Sequence, residues 1–440
     1  MPPRRPTWRR RLRPTLLVLL ATALWLPAVR LLFPAPERER DALREGLHAR
    51  QRALWDDPAA REGSIERMRL ANGEWDFMAR TFFVLSLANR ALERPAERDA
   101  LVATMDRILD ETLRLEAARG QAHFLLPYVH DRPFVDASGR SVFVDGEIAL
   151  MMAARERVAR TPRFAAPLRE RVEAIVAQME RGPALSAESY PDECWTFCNT
   201  LALAAVRLHD DASGEDHSAF LRRWVAHAKA NLVDPETGLL VSSYTRDGRF
   251  LDGPEGSSIF MVAHALELVD PAFARDQYAR ARAELGRDAL GFRFAREWPA
   301  SWQGPTDIDS GPIVPLFEAS AGASGMYVLG AEAFDDADAR RGLYRSLALA
   351  AFPEDDGRGA RYLASNQVGD AILLYALSQG PLWERVGPPA EPLALRVPGP
   401  RARHASNGHL HTDSAPNPPR PQPGPRPPGP RPPGPRPPGP

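Results

Sequence analysis

A chain of 440 residues, 44% of them hydrophobic, carries enough apolar side chain for one large domain or two ordinary ones. Its 56 basic and 57 acidic residues nearly cancel, which excludes the strong overall field that would draw in nucleic acid or an acidic surface. Lys229 is the only lysine, and the arginine excess reads as the coding bias of a GC-rich genome.

The chain begins with an address. Arg4, Arg5, Arg9, Arg10, Arg11 and Arg13 precede the apolar run TLLVLLATALWLPAV at 15–29, the arrangement of a secretory signal or signal-anchor. Counted from Pro14 to Phe33, with Arg30 snorkelling, the apolar stretch reaches the roughly 20 residues a bilayer requires. Ala21 and Ala23 make a poor cleavage site, so residues 1–37 are read as an uncleaved membrane anchor. The positive-inside bias then puts everything after Phe33 outside the cytoplasm, in the periplasm or the extracellular space.

From 38 to 386 apolar residues recur at helical spacing, and strand-like alternation is nearly absent. The spacing predicts helices over 41–55, 74–92, 96–118, 145–159, 165–181, 193–209, 217–232, 257–269, 271–285, 313–330, 333–350 and 367–377. Short turns such as ERPAE, VDPAF and RTPRF join several pairs, with proline near a helix start. Other joins are long and rich in Gly, Asp, Ser and aromatics. Six hairpins that cannot bury their apolar faces alone, with the long loops gathered at one end, predict an all-α fold, an (α/α)6 barrel. An open solenoid would show a regular sequence period, and none is present. Residues 387–440 close on PGPRPPGPRPPGPRPPGP and are expected to form an extended, disordered cationic tail.

The residues that bear chemistry fall at the loop ends of these helices. EWDFMARTF at 74–82 sets Asp76 among aromatics, where a carboxyl can acquire a raised pKa; a carboxylate favoured by the helix dipole is the rival reading. PYVHDRP at 127–133 offers Tyr128, His130 and Asp131, the long loop 233–257 offers Tyr244, and DIDSGP at 307–312 offers Asp307 and Asp309, with turn and cap chemistry as the competing role. YPDECWTFCNT at 190–200 holds both cysteines, Cys194 and Cys198. On a helix starting at 193 they share one face near the N-terminus, where a thiol pKa can be lowered. The alternative is a pair of small buried side chains. A disulfide is awkward on one helix face, and no partner of metal-ligand spacing stands nearby.

EWDFMARTF, DGEIALMMAARERV, YPDECWTFCNTLALAAVRLHD, GPEGSSIFMVAHALELVDPAF and DIDSGPIV, in this order, resemble the linalool dehydratase/isomerase family. The resemblance implies an (α/α)6 barrel and a cofactor-independent, metal-free lyase or isomerase that dehydrates and isomerises a small hydroxylated molecule in an apolar pocket. It implies an acid at Asp76 and a cysteine at Cys198, which precedes Asn199 in the PD-x5-CN pattern. Ser189 stands where the family has a second cysteine, Phe82 where it has a tyrosine, and the DGEIALMM segment lacks the family's histidine.

The expected catalytic residues are therefore Asp76, Cys198, Glu193 and Asp192. Ser189, Tyr190, Cys194, Asn199, His130, Tyr244, Asp307 and Asp309 are expected to bind substrate, with no metal or cofactor. The partners expected are a small-molecule substrate and a membrane, through the N-terminal helix. Two other classes remain open: a glycan-active enzyme using Asp76, Glu193 or Asp307, with Trp195, Trp298 and Trp302 as stacking surfaces, and a non-catalytic binding member of the family.

Overall fold

The computed structural model describes residues 7–33, 40–304, 311, 313–315 and 317–387. Asp307, Asp309 and the tail from 388 lie outside the described residues. The helices are α1 (Thr7–Trp25), α2 (Arg40–Asp56), α3 (Pro58–Ala71), α4 (Trp75–Glu93), α5 (Arg98–Arg119), α6 (Val142–Val158), α7 (Pro162–Arg181), α8 (Thr196–Ser213), α9 (Ser218–Asn231), α10 (Gly256–Leu266), α11 (Pro271–Leu285), α12 (Ala321–Ala333), α13 (Ala337–Ala350), α14 (Gln367–Ser378) and α15 (Pro381–Glu384).

Six of them, α4, α6, α8, α10, α12 and α14, each pack on the next, and α14 closes on α4. The other long helices clothe this ring: α2 lies on α14, α5 on α4, α7 on α6, α11 on α10 and α13 on α12. The fold is the (α/α)6 barrel that the hairpin count predicts. Composition decides which helix goes inside. In α6 nearly every residue is buried, so the helix has no water-facing side. By contrast, α7 buries Phe164, Leu168, Val172, Ile175 and Met179, one stripe at helical spacing, and leaves the rest to solvent. Gly146 on α6 lets the ring tighten, because a Cβ there would stand 3.1 Å from the Ala202 Cβ of α8.

Helix starts follow the turn chemistry. Asp270 caps α11 by accepting from Ala272 N at 3.1 Å and Phe273 N at 3.0 Å, with Pro271 in the first turn. Thr161 does the same for α7, ahead of Pro162.

Three expectations need correction. Helix α8 starts at Thr196 and not at 193; Cys194–Trp195 form a strand, β1, antiparallel to β2 (Ser243–Tyr244), which pairs in turn with β3 (Phe250–Asp252). Cys194 and Cys198 therefore do not share a helix face, and both thiols are free. Helix α12 starts at Ala321 and not at 313, because the preceding segment adds strands to the hairpin β4 (Gly286–Ala289) and β5 (Phe292–Ala295): these are β6 (Ile313–Val314) and β7 (Ala319–Ser320). Finally, α3 was not foreseen; it buries only Ser64 and Met68, too little to mark a periodic face. A last hairpin, β8 (Pro353–Asp355) and β9 (Ala360–Tyr362), precedes α14.

The segment Pro14–Leu32, 19 residues of mean hydropathy 2.0 and nowhere buried, is long and apolar enough to cross a membrane, as a signal sequence or an anchor would be.

Candidate active site

Each inner helix except α14 is followed by a short turn into its outer partner, and each outer helix from α5 onward returns through a long connection. All six inner helices thus start at the end where the long segments gather, and side chains in their first turns converge there.

Cys198 is the third residue of α8 and is 6% exposed. The Ser189 side chain, on the segment leading into β1, is hydrogen-bonded to its thiol. Asn199, fully buried, fixes that segment. Its Oδ1 accepts from Ala187 N at 2.8 Å, and its Nδ2 donates to Ala187 O at 3.0 Å and Trp195 O at 2.9 Å. Glu147 enters from α6, one residue after the close approach at Gly146. Thr81 of α4 donates to its Oε2 at 2.5 Å, and its Oε1 is buried without a partner. Burial pushes the Glu147 carboxyl up to about 8; the Thr81 hydrogen bond opposes this and the Glu74 charge adds to it. Glu74, at the start of α4, accepts from the Tyr190 hydroxyl, which itself accepts from Leu126 N at 2.8 Å. Tyr128 stacks on Tyr190 with ring centroids 4.3 Å apart, and its hydroxyl lies 3.4 Å from Glu193 Oε1. The Trp195 indole donates to the same oxygen. Burial raises the Glu193 carboxyl as well.

Burial also raises the Cys198 thiol well above its usual range; the Ser189 hydrogen bond opposes this, and the charges of Glu74, Glu147 and Glu193 add to it. The lowered pKa expected from a helix N-terminus is thus reversed: desolvation and three carboxyl neighbours outweigh the dipole, and the residue is an S–H group. Iodoacetamide at pH 8 is accordingly expected to modify Cys198 in the folded protein at least tenfold more slowly than in the denatured chain. Mass spectrometry of labelled peptides reads this directly, and equal rates would contradict the buried thiol.

The remaining expected residues divide. Ser189, Tyr190, Glu193 and Cys198 come together. Asp76 is held elsewhere: it accepts from Arg80 Nε at 3.2 Å, and Arg80 reaches Thr112 and Glu111 on α5. Asp192 is a turn residue at φ 51°, with its N–H on Glu188 and its carboxylate accepting from Arg246 N. Cys194 and Tyr244 are fully buried opposite each other in the β1–β2 pair, and the Tyr244 hydroxyl bonds Ser186 at 2.8 Å. His130 is exposed at the end of the 3-10 turn Pro127–His130. The sequence reading offered Tyr128 only as a loop residue beside His130, and it passed over Glu74, Thr81 and Glu147. Glu147 had a signal, a carboxylate at the head of the run EIALMMAA in a helix too apolar to have a wet face.

Among the described residues no group of three or more His, Cys, Asp or Glu stands close enough to hold a metal ion.

These elements define an (α/α)6-barrel protein with a carboxyl, phenol and thiol cluster at the loop end of its inner ring. The chain matches the linalool dehydratase/isomerase family over residues 146–368, just over half its length, and belongs to that family. Solved structures similar to it include a GH76 alpha-mannanase from Bacteroides thetaiotaomicron (10% identity, TM-score 0.41, covering 68% of this chain and 84% of that one). Another is an unsaturated glucuronyl hydrolase from Bacillus sp. GL1 (15% identity, TM-score 0.46, 70% and 86%). A third is a GH76A alpha-1,6-mannanase from Salegentibacter sp. HEL1_6 (13% identity, TM-score 0.44, 69% and 88%).

Proposed function

We propose that this protein is a lyase or isomerase that removes or moves the hydroxyl group of a small neutral alcohol by proton transfer between its own side chains. The observation that carries the reading is Glu147, a buried carboxyl pushed up to about 8 with one oxygen unpartnered, whose charge is felt at the Cys198 thiol. At neutral pH it is a neutral acid in a low-dielectric site, suited to protonating a leaving hydroxyl. The C–O bond breaks and water leaves. The Glu74 carboxylate, through the Tyr190 hydroxyl, takes a proton from the neighbouring carbon, and the alkene forms. Passage of that proton from Glu74 to Glu147 restores the starting state. The reading calls on no metal or organic cofactor.

Incubating the purified protein with linalool and shorter allylic alcohols, with gas chromatography of the products, tests it. Alkene or transposed alcohol is expected. Turnover of oligosaccharides and of none of the alcohols would replace this reading with the glycan-active one.

The same proposal places the barrel outside the cytoplasm, held by the apolar N-terminal segment. The motivation is that the arginines precede the run and Arg30 is the closest positive charge after it. An alkaline phosphatase fusion after Val386 should be active; an inactive fusion with an active cytoplasmic reporter at the same site would reverse the orientation.

A further inference from the structure

A second polar site lies away from the acid and thiol cluster, in a cleft of about 460 Å3 between α11, α12 and the β4–β5 hairpin. Tyr278, Arg282, Gly286, Asp288, Arg293 and Tyr327 line it. Two of its side chains carry buried donors with nothing to donate to: the Tyr327 hydroxyl, on a fully buried ring stacked 4.5 Å from Phe260, and Arg293 Nη1, on a residue 9% exposed. Buried donors left unmade are costly and uncommon, so two in one cleft call for an acceptor.

The groups left over once the nearby charges have paired say which kind. Arg293 spends Nε and Nη2 on Asp288, at 2.8 and 2.7 Å, and Nη2 also lies 3.1 Å from Asp338. That clamp fixes the planar fork and leaves Nη1 over. Asp336 and Asp338 are in turn engaged by Arg282 at 2.9 and 3.4 Å, and the Tyr278 hydroxyl donates to Asp336 at 2.9 Å. Each nearby carboxylate is thus paired, while the unused groups are a guanidinium N–H and a phenol O–H. Burial pushes the Tyr327 phenol up to about 12, so it keeps its proton and serves as a donor. Gly286 keeps the approach open: a Cβ there would stand 3.3 Å from the Tyr327 hydroxyl oxygen.

We propose that this cleft binds a small oxyanion, a carboxylate or a phosphate, whose oxygens accept from the Tyr327 hydroxyl and Arg293 Nη1, with Arg282 at the rim.

The test is calorimetry and thermal unfolding of the full chain at constant ionic strength with inorganic phosphate, acetate and, as the uncharged control, acetamide. One of the two anions is expected to bind saturably and raise Tm, and the stronger one identifies the ligand as phosphate-like or carboxylate-like. Acetamide is expected to bind at least fivefold more weakly. Tyr327→Phe should weaken the anion about tenfold while the ligand-free Tm holds or rises, since the substitution removes an unsatisfied hydroxyl. Arg282→Gln, at a half-exposed position, should weaken it severalfold. Absence of saturation by either anion, acetamide matching them, or unchanged affinity in Tyr327→Phe would each overturn the proposal.

Discussion

Replacing Glu147 with Gln should lower kcat/KM on the alcohol substrate by about 10²- to 10⁴-fold, the range over which a positioned general acid contributes. The wild-type rate should fall as pH rises through about 8, where the carboxyl gives up its proton. Stability should move with it. The folded state holds the Glu147 proton up to about 8, whereas a glutamate in the unfolded chain gives it up near 4.5. Stability is therefore full below about 4.5 and is lost progressively as pH rises to about 8. Glutamine has no proton to lose, so the stability difference between variant and wild type should shift in the variant's favour by on the order of 3 kcal/mol from pH 5 to pH 8.5. Denaturant unfolding at the two pH values measures the shift, and assays across the range measure the rate. A variant retaining more than a tenth of the activity would mean that the acid is another group. A stability difference independent of pH would mean that Glu147 is ionised in the fold.

Asn199→Ala should have the largest effect on stability among residues near the site, about 3 to 5 kcal/mol. It strands the Ala187 N–H and C=O and the Trp195 C=O in a dry environment. Those bonds also place the Ser189 segment against α8, so activity should fall although Asn199 makes no contact with Glu147 or Glu74 in this network. Urea unfolding checks the first claim; a loss below 1 kcal/mol would show that the segment is held by packing alone.

The two variants mark the limit of what the sequence made legible. The barrel was legible because inner helices such as α6 and α10 are apolar on every side and outer ones such as α7 carry a stripe, a contrast that needs no partner to be seen. The start of α8 was not. Cys194 and Trp195 are extended because they pair with Tyr244 and Ser243, about fifty residues on, and local pattern contains nothing of that pairing. At the candidate site, the motif around Cys198 named Ser189, Tyr190 and Glu193, which the fold brings together with it. Asp76 and Glu74 stand two residues apart, and only packing decides that Asp76 faces Arg80 and α5 while Glu74 meets Tyr190. Glu147 was visible as a charge in an apolar run, yet its raised pKa comes first from burial among neighbouring helices, opposed by Thr81 and helped by Glu74, none of which local pattern contains.

Closure of the ring has a consequence for how the chain comes to be folded. The contact between α14 and α4 joins segments nearly three hundred residues apart, and Leu382 N donates to Asn89 Oδ1 at 2.9 Å across the same seam. Until that late segment has been synthesised, the flank of α4 facing α14 stays uncovered, as does the far side of α12. Such sequence-distant contacts slow folding and lengthen the time during which apolar surface is open to aggregation or proteolysis. A nascent chain halted before Gln367 is therefore an open arc, and the arrival of α14 makes it a barrel.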